Sequence, residues 1–386
     1  MTLASNNTLS AAHCRDARLL RDFVQSRVSV NAWPIHSPQL IRQLRHTGLN
    51  LTATSTMNLT ELERMLCDLG RNAVRLEARL HLHNAFHRAQ HNHDVMLRLL
   101  LLEWPGPGPV PDIFVAAAVR VYPDTKAITQ VLLQLLRALV HAGVPIDILA
   151  RDVLAAMGHD YGHAGGTDRL DAQGQPTPLT HEDMAEKHIA RIGLKFGMAP
   201  VRVLEAMAGV RATTFHVRAG RQRVTACNDF ERKLKVADIM GCALPMPLWL
   251  VHVGLPVLAE KLPHWRMLLL QQEVDNRLII KNLEDWLQSE RGFLLCVDAG
   301  LLGTVAAAQA LWRPALLDKV ARLDQALART DLLLPLAAQG FDVLEQMVTT
   351  LRPDSTTQGL PDTTALPPPL RELLAVLTSS VSGPSP

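Results

Sequence analysis

The sequence predicts an all-α protein, a compact multi-helix bundle, and three observations carry that prediction. Long stretches are rich in Leu, Ala and Val, which are strong or tolerable helix formers. Aromatic residues make up only 4% of a chain that is 48% hydrophobic, and few stretches are dominated by the β-branched and aromatic residues that favour strands. The segment NLTELERML, from Asn58, offers a capping Asn or Thr, then Glu, then an apolar face, which together mark a helix start.

At 386 residues the chain can hold one large domain with extensions, or two or three small ones. Residues 1–60 read as a mostly helical N-terminal extension with a polar opening and a helix near Ala17 to Ser26. Residues 61–348 read as a nearly continuous set of helices forming the main domain. Its breaks are EWPGPGPVPD (103–112), HAGGTDRLDAQGQPTP (163–178) and the prolines around 245 and 256. Between Ile239 and Val257 there is no Asp, Glu, Lys or Arg, a run long enough to raise a membrane span. Pro245, Pro247 and Pro256 interrupt it, so it reads as a buried loop and short helix, with no membrane expected. Residues 349–386 are rich in Pro, Ser and Thr and read as a largely disordered tail, apart from a short helix over 370–377.

A formal net charge of +2 gives no sign of a phosphate-backbone binder or a polybasic membrane arm, so no nucleic-acid partner is expected. The five cysteines are scattered and contain no CxxC pair, which suits reduced thiols. The first residues lack the basic, apolar and small-residue order of a secretory signal, and a cytoplasmic location is the expectation. A homodimer is left open.

Three clusters carry chemistry. In HLHNAFHRAQHNHDVM, His83, His87 and His91 recur every four residues and Asp94 follows three later, so a helix puts them on one face. Imidazoles buried without partners are costly, and a metal or phosphate would supply one; a solvated polar face is the other reading. In MGHDYGHAGG, His159 and Asp160 end an apolar helical segment, and His163 sits one turn further on. One nitrogen and one oxygen ligand side by side suit zinc, iron or manganese, and a carboxylate can also bridge to a harder ion such as magnesium. In KLKVADIMG, Asp238 stands in an apolar stretch and needs a cation, a hydrogen-bond network or exposure.

These elements resemble the class I cyclic nucleotide phosphodiesterases and the wider HD phosphohydrolase superfamily. The family's Tyr-His-Asn-x-x-His-Ala-x-Asp-Val element is matched in spacing by Phe86 to Val95, its HDxxHPG by His159 to Gly165, and its Ala-Asp-x-Ser-Asn-Pro by Ala237 onward. The resemblance implies an HD-type bundle with a buried metal site. It implies that His91, His159, Asp160 and Asp238 bind a first ion (zinc, iron or manganese) and that Asp160 bridges to a second (magnesium or manganese). It also implies that His87 protonates the leaving oxygen, and that His163 and Glu186 stand behind the ligands. The activity implied is hydrolysis of a 3',5'-cyclic nucleotide to the 5'-monophosphate by a hydroxide shared between the ions.

The family's Gln-Val-Gly-Phe segment, which recognises the base, is replaced here by Glu290-Arg291-Gly292-Phe293. Phe293 offers a face for stacking. Glu290, when ionised, only accepts hydrogen bonds, which ranks cyclic GMP above cyclic AMP as the substrate. Other departures are Arg88, Ala164 and Ile239-Met240-Gly241, where the family has Asn, Pro and x-Ser-Asn. Two alternatives remain: another HD-type phosphohydrolase acting on a different nucleotide or small phosphate ester, and a regulatory protein with a structural metal site.

Overall fold

In the computed structural model the described residues are 54–80, 85–105, 109–163, 181–213, 228–271, 280–300, 302–352 and 359–379. Every element among them is helical. The expectations for residues 1–53, for His83 and for most of the 163–178 break lie outside the described residues.

Helix α1 (Leu59–Leu80) begins as its sequence directs. Asn58 Oδ1 accepts from the Glu61 amide and Glu61 Oε2 accepts from the Asn58 amide, each at 3.0 Å, which closes a reciprocal cap. Helices α2 (Ala89–Leu102), α3 (Asp112–Ala118) and α4 (Thr125–His141) follow, then α5 (Ile146–Gly158), α6 (His181–Lys195), α7 (Pro200–Ala212) and α8 (Asp229–Ile239). The apolar helix α5 is the hub: α1, α2, α6, α7 and α8 all pack on it. Its residues from Leu149 to Gly158 are all buried. Gly158 lets α6 approach closely, since a Cβ there would meet Ile189 Cγ2 at 2.2 Å.

The uncharged stretch after α8 is buried and irregular, as its prolines require. A 3₁₀ turn (Met240–Ala243), a short helix α9 (Met246–Trp249) and a π turn (Leu250–Gly254) lead into α10 (Leu255–Gln271). No single helix among the described residues is long and apolar enough to cross a membrane; the one pair that passes together by composition is bent by 106°. Helices α11 (Leu283–Gly300), α12 (Ala306–Leu327), α13 (Thr330–Ala337) and α14 (Phe341–Thr350) follow, the last three packing on α11.

Of the C-terminal segment, residues 353–358 and 380–386 lie outside the described residues. Its short helix is present as α15 (Pro368–Thr378), and Leu370, Leu373, Leu374 and Leu377 are buried against α12 and α13. A stripe of leucines at helical spacing had a surface to bury itself on, which composition alone did not reveal.

Candidate metal centre

Three separate segments bring the site together. His91 lies in the first turn of α2, His159 caps the C-terminal end of α5 with Asp160 next to it, and Asp238 sits in the last turn of α8. The start of α8 is pinned by Asn228, whose Oδ1 accepts from the Glu231 amide at 2.8 Å.

The side chains converge. His91 Nε2 is 3.0 Å from Asp238 Oδ1 and 3.5 Å from Asp160 Oδ2. His159 Nε2 is 3.1 Å from Asp160 Oδ2 and 3.3 Å from Asp238 Oδ1. His159 is 1% exposed and His91 4%, so water does not satisfy them. His159 Nδ1–H donates to the Ala156 carbonyl at 2.9 Å, so Nε2 is the nitrogen that faces the carboxylates and that would ligate an ion once its proton is displaced. That nitrogen is buried and makes no aligned hydrogen bond despite the two carboxylate oxygens beside it.

This geometry fits an ion. Two donors bound to one cation at about 2.1 Å and separated by 90–109° lie about 3.0–3.4 Å apart. The four contacts here run from 3.0 to 3.5 Å. His91, His159 and Asp238 together could hold a metal ion, with the Asp160 carboxylate against both imidazoles.

Without a cation the cluster holds itself together by proton sharing. Burial pulls the His159 pKa down, but the carboxylates of Asp160 and Asp238 outweigh it and hold the imidazole well above its ordinary range. Burial would raise Asp160 and Asp238, yet the neighbouring histidines, His159 foremost, hold both carboxyls below the usual carboxylate range. A divalent ion would take the place of those protons.

His87 does not share a helix face with His91, since α2 begins only at Ala89 after an extended Arg88; it stands beside this cage in a clamp that the sequence did not reveal. Its Nδ1 lies 2.6 Å from Glu260 Oε2, and Glu260 Oε1 accepts from the amides of Phe86 and His87 at 2.6 and 3.0 Å. Burial lowers the His87 pKa, but the Glu260 hydrogen bond and the charges of Asp160, Glu260 and Asp238 more than offset that, so the net shift is upward. Glu260 lies in the otherwise mixed segment LPVLAEKLPHW, and its one legible signal was a carboxylate following an apolar run.

His163 is buried and stacks on His87, with ring centroids 3.9 Å apart and planes at 13°. Gly162, at φ +82°, makes the turn that swings His163 there. A cleft lined by His87, Asp160, Tyr161, His163 and His188 opens at this side of the cage. Glu186 is also buried, and both of its carboxylate oxygens are engaged by Arg211. Its neighbour His188 stacks on Tyr161 at 3.7 Å.

Glu290 and Phe293 lie on α11. Phe293 is 43% exposed, and burial raises the Glu290 carboxyl while Lys261 opposes that shift. Neither residue lines the cavities that adjoin the cage among the described residues. Comparison of the chain with family models, with curated proteins and with solved structures found no match.

Proposed function

We propose that this protein is a metal-dependent phosphohydrolase of the HD type, its ions held by His91, His159, Asp160 and Asp238. The observation that carries the reading is a fixed, proton-bearing imidazole, His87 on Glu260, set beside a buried two-histidine, two-carboxylate cage. A structural metal site in a regulatory protein needs no such dyad. When bound, divalent ions would supply positive charge to the phosphoryl oxygens and acidify a water molecule.

The chain's own residues do the rest. Glu260 occupies His87 Nδ1, which makes Nε2 the atom that exchanges protons. As water adds to phosphorus and the bond from phosphorus to the leaving oxygen breaks, His87 donates its proton to that oxygen, an otherwise poor leaving alkoxide. Glu260 stabilises the imidazolium beforehand and orients it throughout. The stacked His163 restricts the plane of the His87 ring.

The substrate suggested by the resemblance is a 3',5'-cyclic nucleotide, with cyclic GMP favoured over cyclic AMP through Glu290 and Phe293. A second reading is another nucleotide or small phosphate ester. It is favoured by one observation: the cavity beside His91 is lined by Arg88, Arg98 and Arg120 and not by Glu290 or Phe293. The test is a panel of cyclic and linear nucleotides assayed with added manganese, beside elemental analysis of the purified chain. Hydrolysis of a panel member, abolished by chelator, is expected. A tightly held ion with no hydrolysis of any member would overturn the enzymatic reading.

A further inference from the structure

A second cavity, of about 190 Å³, is lined by His91 and shares only Arg88 with the cleft. Among its lining residues are Phe86, Arg98, Arg120, Gly241 and His252. Arg98 lies seven residues after His91 on α2, two turns along the same helix face. It is 4% exposed, and its Nη1 is buried with no hydrogen-bond partner. The charges of Asp94, one turn away, and of Asp238 favour the guanidinium from a distance, yet neither forms an ion pair with it among the described residues. Gly241 leaves room in front of the guanidinium, since a Cβ there would stand 3.9 Å from Nη1.

An arginine cannot shed its charge to escape burial, so a guanidinium held under an apolar helix surface calls for an anion. Arg88 and Arg120 add positive charge at the wall, against the single carboxylate of Asp94 among the described lining residues. The guanidinium fork matches an oxyanion in geometry as well as charge. Arg98 interrupts the apolar run Val95 to Leu102, where packing alone would favour another aliphatic side chain.

We propose that this cavity is an oxyanion subsite, in which Arg98 and Arg120 hold a second phosphate group on the same ligand whose first phosphate meets the metal cage. The proposal rests on the phosphohydrolase reading and selects its second form, a nucleotide bearing more than one phosphate.

The subsite can be separated from the cage by removing the metal. Calorimetric titration of inorganic phosphate into the chelator-treated full chain should show binding, and Arg98→Met should weaken it at least about tenfold. Arg120→Gln, at an exposed position on the cavity wall, should weaken it by a smaller factor, and both variants should keep the wild-type metal content. On the metal-loaded chain, guanosine 3',5'-bisphosphate should bind about tenfold tighter than guanosine 5'-monophosphate, and that gain should vanish in both variants. Phosphate binding that is absent from the metal-free chain, or equal in wild type and Arg120→Gln, overturns the subsite, whether or not Arg98→Met folds. Retained, arginine-dependent phosphate binding in a chain that hydrolyses nothing would leave the subsite standing and remove the phosphohydrolase reading.

Discussion

Helix α5 carries two buried polar clusters, one near its middle and one at its C-terminal end, and they are built on opposite plans. In the middle, Asp152 Oδ1 accepts from Arg151 Nε at 2.9 Å and is 2.8 Å from Arg151 Nη2. Around that pair stand Glu103, Glu205 and Lys233, with Lys233 Nζ 3.1 Å from Glu103. Arg151 also lies over the Phe230 ring at 3.8 Å. Here the chain supplies its own cations, and the cluster joins α2, α5, α7 and α8. Seven residues further on from Asp152, His159 meets the carboxylates of Asp160 and Asp238 at 3.1 and 3.3 Å, and its Nε2 is unaligned with either oxygen among the described residues. A buried carboxylate paired with arginine and lysine is architecture, whereas one set against imidazoles that can give up their protons leaves room for an external cation.

The sharpest way to break this comparison is to remove a ligand. Asp238→Ala should lower metal affinity by about a hundredfold or more while the helical circular dichroism persists, as read by elemental analysis after dialysis. Asp152→Asn should leave metal content at one with wild type; equal loss in both would show that the two clusters do not differ in kind. Next in size is His87→Ala, which should cut turnover by about 10²–10⁴-fold with metal retained. Equal metal loss in His87→Ala and Asp238→Ala would contradict the roles assigned to them. Glu260→Gln should cost less, on the order of tenfold. It removes the charge that raises the His87 pKa, so the falling limb of the pH–rate profile, where the acid loses its proton, should move to lower pH. A drop in rate with an unmoved profile would assign Glu260 to structure alone.

The cage was legible in the sequence because its chemistry is written in short, improbable strings. His159 and Asp160 are adjacent, His87 and His91 stand four apart, and Asp238 stands between apolar neighbours; the spacing suggests one helix face, whereas His87 precedes α2 and reaches the cage from an extended approach through Arg88. The fold class was legible from composition and caps. Glu260 and Arg98 were not, because each is one charge on a long helix, and a lone charge reads as a solvated face until tertiary packing covers it. Glu260 meets His87 across 173 positions of chain, a pairing that no local pattern encodes. The α15 leucines show the same limit: spacing gave the helix, and only α12 and α13 gave it something to cover.

The mid-helix cluster offers the smallest effect on function and a clean one on stability. Burial pushes the Asp152 carboxyl up to about 7, with Arg151 opposing the shift and Glu103 adding to it. Its folded pKa therefore exceeds the ordinary carboxylate value, so the native state holds a proton that the unfolded chain releases. The stabilisation from that proton is complete below about pH 4, declines as pH rises, and is gone once pH passes about 7. Asn mimics the protonated form and cannot titrate. The difference in unfolding free energy between wild type and Asp152→Asn, from denaturant titrations at several pH values, should thus fall from pH 4 to 7, by at most about 1.4 kcal/mol per unit, and flatten above. A difference that rises with pH would mean that Arg151 dominates and holds Asp152 ionised. The cluster at the middle of α5 would then be a strong ion pair, and its contrast with the cage that begins seven residues on would be sharper still.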